Sequence, residues 1–212
     1  MMRRLFLFID ERLRRRQNIE EFCDDPECML RIKLCRADRT FALEKGEIRK
    51  GADVLELHLW NEHVPLRAGR TGLAWAARSR RAFVTSLAKL ARHVQQRPEL
   101  RGVAGVIGIT TFMSPREAEA AERVLERLGF AHAPYSVGAF GDFWENLHVW
   151  FLHRTFCDGA GHKPLSGLTR RIMWMSSDDL LRRYAQLGSR PDRPRAPPRE
   201  TGPVGLEWRS IS

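Results

Sequence analysis

Apolar and polar positions along this chain alternate between two periods, and the switches between them mark out its elements. Over the first twenty residues Met2, Leu5, Phe6, Ile9 and Leu13 recur at helical spacing, while Arg3, Arg12, Arg14, Arg15 and Arg16 occupy the remaining positions. That pattern predicts a basic amphipathic helix over residues 1–21. Its apolar stripe suits either packing across a domain or lying in a membrane interface with arginines on anionic headgroups, and spacing alone leaves both open. Met29 to Arg36 then changes to period two, with Leu30, Ile32 and Leu34 on one face and Arg31 and Lys33 on the other, which predicts a half-buried strand. Gly46 and Gly51 punctuate a turn-rich stretch before a second strand, Val54 to Leu59, that ends at Asn61.

Residues 70–96 return to helical spacing through Leu73, Ala76, Phe83, Leu87, Leu90 and Val94, and Pro98 closes the segment. Val103 to Phe112 reads as a glycine-containing strand. Ser114, Pro115 and Glu117 have the residue types of a helix cap, a first helical position and a capping box, and Gly129 followed by Phe130 is a helix-stop signal. After a loop rich in glycine and aromatics, Leu147 to His153 is apolar on both faces and predicts a central strand. A short strand, Ile172 to Met175, precedes a helix opened by Ser176, Ser177 and Asp178 and running to Leu187. The Pro- and Arg-rich residues 189–212 lack the apolar content to order themselves. The alternation predicts an α/β fold: a single layered domain over residues 22–188, with a mixed sheet of about five strands covered by helices on at least one face.

Composition supports a globular chain. The 212 residues are 43% hydrophobic with six Trp and eleven Phe, enough for a core and too much for global disorder. No apolar run approaches the roughly 18 residues of a membrane span, and no signal peptide is recognisable. The formal charge of +10 comes from 36 basic and 26 acidic residues, and only five of the basic ones are lysine. An arginine bias of that kind fits a GC-rich coding sequence as well as a phosphate-binding role. Its placement is more informative, because residues 66–101 hold nine Arg or Lys against Glu99 alone. Aromatic stacking platforms are lacking there, so nucleic acid is not the expected partner. Cys23, Cys28, Cys35 and Cys157 show no zinc-ribbon spacing, which predicts free thiols in a reducing cytoplasm and no metal.

One strand breaks the core pattern in an organised way. In Glu56-Leu57-His58-Leu59-Trp60-Asn61, period two puts Glu56, His58 and Trp60 on one face. A carboxylate and an imidazole two apart on one face can share a proton or orient one another, whereas the structural alternative is a histidine covering a helix and a glutamate paired with arginine. The repeat of Leu57-His58-Leu59-Trp60 with His63 as Leu147-His148-Val149-Trp150 with His153 does not make a metal site, since histidines five apart on a strand face opposite sides. No P-loop, dinucleotide fingerprint, nucleophile elbow or zincin motif is present, so no cofactor is expected.

The segment Arg67-Ala68-Gly69-Arg70-Thr71-Gly72, between a strand and a helix, could offer amides and arginines to a phosphate. This setting, with the later Gly129-Phe130, resembles the acyl-CoA N-acyltransferases, although Arg70 stands where their loop has glycine. Across the chain the ordered set Gly51 to Asn61, Gly102 to Thr110, Glu126 to Phe130 and Ile172 to Ser176 resembles the YkoP-like family of bacterial proteins over about residues 1–188. That resemblance implies stand-alone chains and domains appended to polysaccharide deacetylases, and hence an accessory role in cell-envelope metabolism. It places a ligand site at Glu56, His58, Asn61 and Thr110, with Arg67 and Arg70 able to engage an anionic group. The expected function is a cytoplasmic module, peripheral to the inner face of the membrane if residues 1–21 meet lipid, binding an anionic glycan- or lipid-linked ligand. The alternative is an acyl-CoA-dependent N-acyltransferase-like enzyme.

Overall fold

The computed structural model describes residues 18–59, 63, 72–112, 115–136, 138 and 168–187. The expected strand over 147–153, the tail over 189–212 and nearly all of the expected N-terminal helix lie outside the described residues. Residues 18–21 are not helical. Asn18 has a φ of 53° and Glu20 forms an isolated bridge with Ile32, so the expected helix does not extend over these four residues.

The described residues form seven strands and three α-helices: β1 (Leu30–Arg36), β2 (Phe41–Ala42), β3 (Glu47–Ile48), β4 (Asp53–Leu59), α1 (Gly72–Gln96), β5 (Gly105–Phe112), α2 (Pro115–Arg127), β6 (Ala131–Pro134), β7 (Thr169–Ser176) and α3 (Ser177–Tyr184). Five strands make one mixed sheet in the order β1-β4-β5-β7-β6, and β2 pairs with β3 as a small hairpin. Only β4 and β5 run parallel; the other neighbours are antiparallel. This is the expected single α/β domain.

Period two sorts the sheet into two faces. Leu30, Ile32, Leu55, Leu57, Val106, Met173 and Met175 point to one, and pack with Leu87, Leu90, Ala91 and Val94 of α1, Leu125 of α2 and Leu180 and Tyr184 of α3. All three helices therefore cover the same face. On the other, Val54, Ile107, Ile172 and Trp174 pack under the hairpin residues Phe41 and Ile48. Trp174 donates its indole N–H to the Ala42 carbonyl at 2.6 Å. Gly105 permits this close approach, because a Cβ there would lie 2.4 Å from the Met175 carbonyl oxygen and 2.6 Å from Ile48 Cδ1.

The termini of α2 and α3 show why these segments stop where they do. Gly129 takes a φ of 88°, and the Phe130 N–H bonds the Leu125 carbonyl while the Gly129 N–H bonds that of Glu126. This pair of bonds is a Schellman cap. Ser176 caps α3 by accepting from the Asp179 N–H at 3.0 Å, and Tyr184 donates to the Leu128 carbonyl at 2.7 Å, tying α3 to the end of α2. The expected apolar stripe of α1 holds in its second half only. Ala76 is exposed, and most described positions from Ala74 to Arg81 are exposed with it, so helical spacing there reflects composition and not a buried face.

Candidate functional site

The polar pattern of β4 has a defined geometry. Glu56 lies directly across the β1–β4 ladder from Lys33, and His58 across from Arg31. Lys33 Nζ is 3.5 Å and His58 Nε2 3.6 Å from Glu56 Oε2. His58 beside it holds the Glu56 carboxyl below the ordinary carboxylate value, with Lys33 adding to this and partial burial opposing it. Glu56 is thus an anion held between two basic groups. At 3.6 Å the His58 contact is longer than a hydrogen bond, and Nε2 of His58 is shielded from solvent without a hydrogen-bond partner.

Two buried arginines extend this face. Arg31 is only 6% exposed and reaches Glu21 at 3.1 Å. Arg170, 5% exposed, lies across the β5–β7 ladder from Thr111. With Lys33, Glu56 and His58 they form the polar end of the sheet face whose other end is the apolar cluster under the hairpin. Burying guanidinium groups is costly unless their charge is answered, so this end of the sheet is built around charge.

The β4–β5 ladder ends at this same end of the sheet. It stops at Leu57 and Gly108, while β4 stays paired with β1 as far as Leu59 and β5 with β7 as far as Phe112. These are the carboxyl ends of two parallel neighbours, where ligands enter open α/β sheets. Leu59 and Ile109 are exposed there, 49% and 41%, Leu59 on the helix side and Ile109 on the hairpin side, with His58 and Thr110 beside them. Exposed apolar side chains next to a charged face suit an elongated ligand with a polar head.

The sequence profile of the YkoP domain matches residues 1–184. The chain belongs to the YkoP domain family. No curated protein and no solved structure matches it.

Three of the six expected site residues of the YkoP domain, Glu56, His58 and Thr110, lie among the described residues. Glu56 and His58 come together as expected. Thr110 lies across from Arg171 and shares the helix-side face with Leu57 and Met173, opposite to Glu56 and His58. It lies at the same end of the sheet, two residues past Gly108, the last β5 residue paired with β4. Asn61, Arg67 and Arg70 lie outside the described residues. Sequence reasoning missed Lys33, Arg31 and Arg170 as members of the polar face. The alternation of β1 marked Arg31 and Lys33 as sharing a face, but only the antiparallel register sets them against His58 and Glu56.

Among the described residues of the YkoP domain no cluster of three or more His, Cys, Asp or Glu could hold a metal ion. Cys23, Cys28 and Cys35 are free thiols. Burial pushes the Cys28 thiol up to about 11, which keeps it protonated and unreactive. No helix among the described residues is long and apolar enough to cross a membrane.

Proposed function

We propose that this YkoP domain is a binding module for an anionic, chain-like ligand, glycan- or lipid-linked, whose chain enters a gap between the carboxyl ends of β4 and β5. The end of their ladder at Leu57 and Gly108 carries the proposal, because exposed Leu59 and Ile109 lie just past it beside a charged sheet face. In this reading Leu59 and Ile109 contact the chain, His58 and Thr110 supply polar contacts from either face, and Glu56 orients His58. Arg67 and Arg70, in the segment joining β4 to α1, would meet the anionic head. Such a ligand is met at the inner face of the membrane, and the basic amphipathic residues 1–21 would bring the domain there.

A second reading, an acyl-CoA-dependent N-acyltransferase-like enzyme, is favoured by one observation. β4, α1 and β5 form a parallel strand-helix-strand unit, which can seat a ligand's phosphates at the start of α1. One calorimetric experiment separates the two: the full chain titrated with a polyprenyl phosphate in detergent and with acetyl-CoA. Saturable heat with the polyprenyl phosphate alone supports the binding module, and saturable heat with acetyl-CoA alone favours the enzyme. Silence with both ligands removes the proposal.

A further inference from the structure

We infer that α1 carries a second anion site, independent of the sheet gap, in a cleft that takes a phosphate group. The cleft, of about 140 Å³, lies between the second half of α1 and the segment before β1, and is lined by Phe22, Cys23, Lys89, Arg92, His93 and Gln96. The four helix residues fall at i, i+3, i+4 and i+7, so they form one stripe. Phe22 closes the opposite wall, its ring 5.6 Å from that of His93. The volume is well below the roughly 300–1,000 Å³ of sites for drug-sized ligands, and is suited to a small anionic group with its first waters.

Donors dominate this stripe, and several are unused. Lys89 is engaged by Asp25. Arg97, just outside the cleft, takes up Glu20 and Glu99. The side chains of Arg92 and Gln96 make no hydrogen bond or ion pair among the described residues. His93 Nε2 is buried without a hydrogen-bond partner and lies 4.0 Å from Glu20. A guanidinium, an amide, an imidazole nitrogen and an ammonium therefore converge on one cleft. Phosphate oxygens can accept from all four, and a guanidinium fork matches two of those oxygens at once.

Two features oppose an anion here, and both are outweighed. Asp25 and Glu20 lie at the rim, but each is already held by a cation. The negative end of the helix dipole acts within the last turn, whereas Lys89 and Arg92 stand about two turns and one turn before Gln96, and their side chains lean toward the N-terminus. The cleft begins 17 residues after Gly72, about 25 Å along the helix, so its ligand is separate from one lying in the gap.

The test is calorimetric titration of the full chain with inorganic phosphate, against chloride at equal ionic strength, and flotation with phosphatidic acid vesicles against phosphatidylcholine vesicles. The expected result is saturable phosphate binding that weakens roughly tenfold in Arg92→Gln and is unchanged in Arg101→Gln, which removes the same charge outside the cleft. Binding to phosphatidic acid vesicles alone, again lost in Arg92→Gln, assigns the same site to a lipid phosphate. Binding that Arg92→Gln and Arg101→Gln weaken equally, an equal response to chloride, or no binding to phosphate or vesicles overturns the inference. Ligand-free melting temperatures confirm that each variant folds. Ile109→Trp, which enlarges a side chain at the β4–β5 strand ends, leaves this binding intact, so failure of the two proposals can be told apart.

Discussion

Replacing Glu56 with Gln tests the electrostatic design of the polar strand. Glu56 Oε2 lies 3.5 Å from Lys33 Nζ and 3.6 Å from His58 Nε2. At an effective dielectric constant of 20, a pair at that separation attracts by about 5 kcal/mol. Most of that is offset by desolvation and by solvent screening, since the Lys33 and Glu56 side chains are 33% and 25% exposed, leaving on the order of 1 kcal/mol net. The carboxyl titrates below its ordinary value of 4.5 in the folded protein, so the unfolded chain binds its proton first as the pH falls. The contribution is therefore complete above pH 4.5 and is lost as the pH drops through the folded value. Urea denaturation at pH 7 should find Glu56→Gln about 1 kcal/mol less stable than the parent, and the difference should narrow as the pH falls below 4.5. A difference that does not narrow in acid, or none at pH 7, would show that Glu56 is not held by charge.

Other perturbations read other parts of the structure. Gly129→Ala forces a side chain into a left-handed conformation where its Cβ meets the Arg183 side chain at 2.6 Å, and thermal denaturation should show a loss of at least about 1 kcal/mol. Tyr184→Phe removes the bond to the Leu128 carbonyl and should cost about 1–3 kcal/mol by chemical denaturation, because a buried acceptor loses its donor; an unchanged midpoint would refute that bond. Burial, and then Arg97, depress the ionisation of His93 from its ordinary value of 6.5, so the unfolded state takes up that proton first. Stability should fall as the pH drops below 6.5, and the fall should be shallower in His93→Gln, as followed by melting temperature between pH 7.5 and 5.5.

Long, strongly periodic segments were the legible ones. The second half of α1, β4 and the start of β5 bury apolar side chains, and the hydrophobic pattern that encodes burial also encodes the period. β6 was not legible, because Ala131-His132-Ala133-Pro134 has no alternation and is ordered by pairing with β7. The hairpin β2–β3 has two residues in each strand and exists because Phe41 and Ile48 cover Trp174, a contact between segments 126 or more residues apart. For the site, period two correctly put Glu56 with His58. It carried no information on register, and register is what brings Lys33 to Glu56 and sends Thr110 to the opposite face. The end of the β4–β5 ladder was equally invisible, since both strands continue as good strand sequence past Leu57 and Gly108.

The most direct test of the gap is an amide chemical-shift map of the full chain titrated with a polyprenyl phosphate, with acetyl-CoA as the parallel titrant. A ligand between the strands shifts His58 and Leu59 on one side and Ile109 to Phe112 on the other, with Glu56 following. Saturable shifts confined to those two strand ends, and abolished in Ile109→Trp, are the result expected. Shifts elsewhere with both strand ends silent would contradict the account.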